Sequence, residues 1–259
     1  MRDFHVHSNY SDGGFLRSMA RAAESAGLEG VGFTDHCNVA SRERAESMRS
    51  VYGFNLDLTY ERRRQGIERL REDFDLEIYD AVEMDYDPRD EAAIDAFLSE
   101  AGFDYAIGSV HAVGGNNVQV ASHFADMPDT ERDAVVDDYF EKLVALVESE
   151  LFDIAAHIDL LERTPPLRGQ ATADHYRRVA RAFTDSRTVP EINAGRALTD
   201  AGIVHPADQF LTILGEHDVA VTVGTDSHHP TEIPDRADFL AEFVSETGLE
   251  PVVPGGLER

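Results

Sequence analysis

Three short stretches carry residues that could share one piece of chemistry: Phe4-His5-Val6-His7, Phe33-Thr34-Asp35-His36 and Gly224-Thr225-Asp226-Ser227-His228. Successive side chains of an extended strand alternate between its two faces, so His5 and His7 project together while Phe4 and Val6 face the other way. Two imidazoles placed like this can grip one metal ion. A lone His-x-His is more often a strand with two surface histidines, and it is the company of these two that changes the reading. Glu83, His111 and His157 each follow an apolar run, as His36 does, and Asp12 lies in the polar loop just after His7. Neutral imidazole nitrogens and carboxylate oxygens suit zinc, manganese or iron. Six histidines with Asp12, Glu83 and Asp226 exceed what one four-coordinate ion uses, which implies two or three divalent ions. A carboxylate such as Glu83 can bridge two of them, so that they share a hydroxide nucleophilic at neutral pH. Such a cluster hydrolyses a phosphate ester or an amide.

Rigid elements must position these groups, and the chain supplies them as apolar strands alternating with amphipathic helical stretches. The first strand runs into His7. A helix with Phe15, Met19, Ala22, Ala23 and Ala26 on one face follows, stopped by Gly27 with Leu28 just beyond. Further strands are expected at 30–34, 77–82, 105–110, 153–156, 189–192 and 220–224, and helices at about 60–72, 89–101, 174–185, 207–217 and 235–247. The clearest helix carries Val136, Tyr139, Phe140, Leu143, Val144 and Val147 on one face. The phrases Ala26-Gly27-Leu28-Glu29, Ala101-Gly102-Phe103-Asp104 and Thr247-Gly248-Leu249-Glu250 suggest repeated helix-to-strand joints. Residues 112–128, with paired glycines and paired asparagines, read as an irregular excursion over the site.

Seven strand-helix units emerge, and the ligand-type residues fall at the carboxyl ends of their strands, where a parallel β/α barrel builds its active site. Of the 11 histidines, His123, His175, His205 and His217 fall in loops or helices and read as solvated surface residues. His229 receives no role.

At 259 residues and 42% hydrophobic content the chain can bury a substantial core, and no Ser/Gly/Pro-rich linker divides it, so residues 1–259 read as one domain. Met1-Arg2 leads straight into the first strand with no basic and apolar leader pattern, and no run approaches the roughly 18 apolar residues of a membrane span; a cytoplasmic protein is expected. The sole cysteine, Cys37, excludes an internal disulfide and reads as a buried filler. Acidic residues outnumber basic ones by 50 to 23, for a formal charge of -27, and Lys142 is the only lysine. Such a surface repels itself in dilute buffer, whereas at about 1 M salt the Debye length falls to about 3 Å. Adaptation to high salt is the expectation, and stable nucleic-acid binding is not.

Taken together, His5-Val6-His7 with Ser11-Asp12-Gly13, Gly32-Phe33-Thr34-Asp35-His36, Glu83, Gly108-Ser109-Val110-His111, Ala156-His157 and Gly224-Thr225-Asp226-Ser227-His228 resemble the polymerase and histidinol phosphatase (PHP) family from residue 3 to about residue 230. Phe33-Thr34-Asp35-His36-Cys37 resembles its histidinol-phosphatase branch. The resemblance implies an α/β fold, a distorted seven-unit (β/α)7 TIM-like barrel with a trinuclear metal site at the C-terminal ends of the strands. It implies that His5, His7, Glu83 and Asp226 hold one ion, Glu83, His111 and His157 a second, and Asp12, His36 and His228 a third. Glu83, Asp226 and His228 then stand closest to the chemistry. Glu191-Ile192-Asn193 matches a Glu-x-Asn element of that branch and implies substrate contacts from Glu191 and Asn193. Ala112-Val113-Gly114-Gly115 departs from the aromatic residue expected after His111.

Three other readings fit less well. Binuclear amidohydrolases need a bridging carbamylated lysine from a middle strand, and Lys142 lies inside a helical stretch. An aspartyl phosphatase would use Asp85-Tyr86-Asp87 with a carboxylate nucleophile, but Pro88 follows and no downstream lysine is placed to serve it. A regulatory module with a degenerate site would lack ligands that are all present here. The reading adopted is a phosphomonoesterase acting on a small phosphorylated substrate, L-histidinol phosphate as the resemblance implies, with nucleotides or oligonucleotide ends as the alternative. Arginine forks match phosphate oxygens, and Arg163 and Arg196 lie just beyond strand ends that also carry site residues, so both are expected to bind the phosphate.

Overall fold

The apolar runs become strands and the amphipathic stretches between them become helices. The computed structural model describes residues 1–255 and 257, the side chains of Arg44 and Met48 apart. In chain order the elements are β1 (Arg2–Val6), α1 (Leu16–Ser25), β2 (Gly30–Phe33), β3 (His36–Cys37), α2 (Glu43–Tyr52), α3 (Tyr60–Asp73), β4 (Glu77–Asp85), α4 (Glu91–Ala101), β5 (Tyr105–Ser109), β6 (Ala112–Val113), β7 (Asn116–Asn117), α5 (Asp129–Glu148), β8 (Ile154–Ala155), α6 (Ala173–Thr184), β9 (Val189–Arg196), β10 (Ile203–His205), α7 (Asp208–Glu216), β11 (Thr222–Gly224) and α8 (Glu232–Thr247).

Parallel pairing links β1, β2, β4, β5, β8, β9 and β11 in that order, and at least one helix separates each from the next. The sheet curls until its last strand returns to its first. An isolated parallel bridge joins Val6 to Ser227, where His7 N–H donates to Ser227 O at 3.0 Å and Asp226 N–H to His5 O at 2.8 Å. The carboxyl ends of the strands therefore share one rim, the geometry in which residues distant in sequence converge.

Several helices bury the stripe that their sequence spacing predicts. In α5, Val136, Tyr139, Phe140, Leu143, Leu146 and Val147 are buried, and each is worth about 1.5–3 kcal/mol relative to exposure. In α1 the buried set is Leu16, Met19, Ala20 and Ala23, and Phe15, expected on that face, is 75% exposed because it precedes the first turn. Gly27, Gly102 and Gly248 adopt positive φ at the ends of α1, α4 and α8. The first two turn the chain into strands, as their shared phrase suggests. The third leads into a C-terminal segment that docks on the sheet, with Val252 N–H donating to Val221 O.

Other expectations need correction. Residues 112–128 are anchored: β6 and β7 pair, and Val113, Val118 and Phe124 sit in the core. The polar stretch after β3 contains α2, and β10 pairs antiparallel with β9 where a loop was expected. Strand β9 continues past Asn193 to Arg196, and β4 past Val82 to Asp85.

Candidate metal centre

Glu83 sits on β4 inside the curled sheet, 1% exposed, and its carboxylate is the point on which the rim converges. Its Oε2 lies 3.5 Å from His5 Nε2, 3.5 Å from His7 Nε2 and 2.8 Å from His36 Nδ1. Its Oε1 lies 3.4 Å from His111 Nε2 and 3.1 Å from His157 Nε2, and accepts from Ser109 Oγ at 2.5 Å. Strand register explains part of this, since His36 on β3 pairs directly with Glu83 on β4. Backbone geometry explains another part. His157 and Asp226 adopt φ of 27° and 50° just past the ends of β8 and β11, a conformation that costs a non-glycine residue about 1–3 kcal/mol and marks a constrained site.

Asp226 Oδ1 faces His7 Nε2 at 3.4 Å and His5 Nε2 at 3.8 Å. Asp12 Oδ1 lies 3.4 Å from His228 Nε2, 3.7 Å from His36 Nε2 and 3.9 Å from His7 Nδ1. Three groups have ligand atoms close enough to share an ion: His5, His7 and Glu83; His36, Glu83 and His111; and His7, Asp12, His36 and His228. The grouping differs from that implied by sequence resemblance: Asp226 and His157 fall in none of the three groups, His7 belongs to two of them, and His36, facing Glu83 through Nδ1 and Asp12 through Nε2, stands between two.

The donor set fits divalent ions. His5 and His7 point their Nε2 atoms at one another across 3.1 Å, close enough for a shared cation to take the place of a proton between them. Among the described residues His157 Nδ1 is buried without a hydrogen bond, and Glu83 Oε2 has only ion-pair contacts, the shortest of them with His36; a buried polar atom without a partner is costly unless another group completes it. Without ions, protons hold the cluster together. Burial opposes charge on His36 and His111, but Glu83 with Asp12 outweighs it at His36, raised to about 9, and Asp85 with Glu83 at His111, raised to about 10. Burial dominates at His7 and His157, both lowered to about 4. Burial also works against the charge on Glu83 and Asp226, yet the surrounding imidazoles hold both carboxyls well below the usual range.

Supporting contacts orient the first ring of residues. Glu191 and Asn193, expected to touch substrate, are buried. Glu191 accepts from His5 Nδ1 at 2.7 Å, from His157 N–H at 3.1 Å and from Asn193 Nδ2 at 2.9 Å. Both face inward with Gly195 on alternate positions of β9, and their polar atoms are taken up by the protein. Asp85, which sequence reading treated only as a possible nucleophile, bonds instead to His111 Nδ1. Asp35 accepts from Ser8 and Ser11 in the loop that carries Asp12, and is itself paired with the fully buried Arg63 at 2.9 Å. The Asp-x-Asp pattern at Asp85 points to a different role and no motif signals Arg63; their supporting roles come from strand register and from a helix packed behind the sheet.

A cavity of about 310 Å³ opens onto the cluster, and Arg163, Arg196, Gln119 and His229 join the ligand-type residues in its lining. Arg196 is exposed. Arg163 is largely buried and donates to Asn193 and Asp226. Among the remaining histidines, His123, His175 and His217 are half-buried away from the cluster. His205, expected at the surface, is fully buried beside Asp159 and Arg163, because β10 carries it against β9. Cys37 is buried behind the site.

Comparison with known proteins gives a consistent answer. The family model described as PHP domain matches residues 3–195. The chain is 25% identical over 248 residues to the "Probable histidinol-phosphatase" of Deinococcus radiodurans, covering 93% of this chain and 92% of that protein. It is 26% identical over 238 residues to the histidinol-phosphatase of Lactococcus lactis, covering 87% and 83%. Its fold matches the crystal structure of Lactococcus lactis histidinol phosphate phosphatase complexed with zinc, L-histidinol and phosphate, with a TM-score of 0.74, 22% identity, and coverage of 98% of this chain and 95% of that one.

Proposed function

This chain belongs to the PHP domain family, and from that membership we propose that it is a metal-dependent phosphomonoesterase that hydrolyses L-histidinol phosphate to L-histidinol and phosphate. One observation carries the reading: a single buried carboxylate, Glu83, is reached by five imidazoles from four strand ends. Proteins named for this activity align over most of the chain, and one of them is complexed with zinc, histidinol and phosphate. The strand count and the return of β11 to β1 favour the description of a distorted seven-unit barrel.

In this reading His5, His7, Glu83 and Asp226 hold one ion, Glu83, His111 and His157 a second, and Asp12, His36 and His228 a third, with His36 placed to serve the second as well. Zinc, manganese and iron suit these ligands. When bound, such ions neutralise phosphoryl oxygens and supply a hydroxide nucleophile at neutral pH.

The protein's own contribution is to fix geometry. Glu191 and Asp85 hold the far nitrogens of His5 and His111, which sets the ring orientation and leaves each Nε2 facing Glu83. Ser109 locks one oxygen of Glu83. Arg196, exposed at the cavity wall, makes no side-chain hydrogen bond among the described residues and can fork onto a phosphate. Arg163 offers Nη1, which makes no hydrogen bond among the described residues, while its other nitrogens are held by the protein.

A turnover assay of metal-loaded protein with histidinol phosphate, nucleoside monophosphates and a dinucleotide tests the reading. Phosphate release from histidinol phosphate is expected to exceed the others by about tenfold or more in kcat/KM. Preference for the nucleotide or the diester would overturn it.

A further inference from the structure

Behind Arg163 lies a chain of buried polar groups that the chemistry above does not use. Asp159 is fully buried and accepts two hydrogen bonds, from the Ala207 N–H at 2.7 Å and from His205 Nδ1 at 2.6 Å. His205, equally buried, presents Nε2 to Arg163 Nε at 2.8 Å. A guanidinium N–H can only donate, so Nε2 of His205 accepts, the ring proton sits on Nδ1, and Asp159 accepts it there. The tautomer is thereby fixed from both sides. Arg163 continues the chain, Nη2 donating to Asn193 Oδ1 at 3.1 Å and to Asp226 Oδ2 at 3.2 Å.

We propose that Asp159 and His205 form a positioning relay for Arg163, and through it set the Asp226 carboxylate, whose other oxygen faces His5 and His7, and the phosphate-binding wall of the cavity. The proposal rests on the phosphomonoesterase reading, since the free Nη1 is assigned to the substrate phosphate. The relay has a physical purpose. An arginine reaching across a cavity rim has many rotamers, and ordering it only when phosphate arrives would weaken binding. Two fixed acceptors from different elements, His205 on β10 and Asn193 on β9, order it beforehand.

The relay makes a specific demand on Asp159. An asparagine there has one acceptor and one donor where the aspartate has two acceptors. Whichever way the amide turns, its NH2 meets either the Ala207 N–H or His205 Nδ1; in the second case the ring proton is driven to Nε2, against the N–H of Arg163.

The test uses the full chain loaded with metal in excess, in the variants Asp159→Asn, His205→Asn, His205→Gln, Arg163→Ala and the double variant His205→Asn with Arg163→Ala. Three quantities are measured: inorganic phosphate affinity by calorimetry, kcat/KM for p-nitrophenyl phosphate and for histidinol phosphate, and bound metal by elemental analysis. Asp159→Asn and His205→Asn are each expected to weaken phosphate binding and lower kcat/KM by about 10 to 100-fold, the loss of one charge-assisted contact. His205→Gln is expected to retain more than His205→Asn, because its longer side chain can return an acceptor to the position of Nε2. In the Arg163→Ala background, His205→Asn is expected to cause little further loss. The relay would be refuted if the His205→Asn and Arg163→Ala losses in phosphate affinity multiplied independently, or if His205→Gln and His205→Asn were equally impaired. A parent that binds phosphate but leaves histidinol phosphate intact would overturn the substrate assignment alone, and the phosphate-affinity cycle would still decide the relay.

Discussion

Glu83 shows how far single residues determine this site. Removing its carboxylate takes a ligand from two proposed ions and leaves five imidazoles facing an empty point, so Glu83→Ala is expected to lose bound metal and to lower kcat/KM by more than about 100-fold. His175→Ala, away from the cluster, is expected to change neither, and elemental analysis beside the assay checks both. The pH dependence of the metal-free protein follows from the same residues. His36 and His111 are raised to about 9 and about 10, against about 6.5 for an unfolded histidine. The folded metal-free state therefore retains protons that the unfolded state releases, and the stability they contribute is complete below about pH 6.5 and is lost as pH rises through 9 and 10. His7 and His157, lowered to about 4, have the opposite effect and weaken the fold as pH falls from about 6.5 towards 4. Melting temperature without metal should thus decline between pH 7 and 10, whereas ions replace those protons and should remove the decline; parallel curves with and without metal would contradict this. Much of the cluster was legible in the sequence because histidines are few in this chain and most of those in the cluster fall just past apolar runs. Asp85, Asp159 and His205 were not, since each acquires its role from a partner 26 to 46 residues away that no local pattern marks.

At the scale of elements, alternation and helical spacing were enough to locate the parallel strands and most of the helices. Strand ends were harder to place. Strand β9 carries Asn193 and Arg196 beyond the apolar run, held there by pairing with β10 on one side and β11 on the other, and tertiary pairing of this kind has no periodic signature. Helix α2 carries little sequence signal, because Glu43 to Tyr52 lacks a well-formed apolar stripe. Close approach of elements leads to a further expectation. A Cβ on Gly224 of β11 would lie 1.9 Å from Glu191 Oε1 and 2.5 Å from His5 Cβ, and both neighbours are buried in the site. Gly224→Ala should therefore displace Glu191 from His5, reduce metal content and lower stability by about 1–3 kcal/mol. Gly215→Ala on α7, where an added Cβ meets nothing within 4 Å, should leave metal content unchanged and raise stability by up to about 1 kcal/mol. Thermal melts and elemental analysis on the pair distinguish a local clash from a general intolerance of the substitution.

For the molecule as a whole, charge and chemistry pull on the same conditions. A formal charge of -27 repels itself most strongly when unscreened, so circular dichroism and melting temperature should both decline on dialysis from about 1 M salt to dilute buffer; an unchanged melt would show that the acidic surface needs no screening. Family membership, a curled parallel sheet and a rim of imidazoles around one carboxylate all bear on a single activity, and that activity requires ions. The most direct measurement is a titration of chelator-stripped protein with zinc or manganese, following phosphate release from histidinol phosphate and bound metal on the same sample. Stripped protein should be inactive, and turnover should rise with metal and level off when about two to three ions are bound per chain. Full turnover by the stripped protein, or none by the fully reloaded protein, would contradict the assignment.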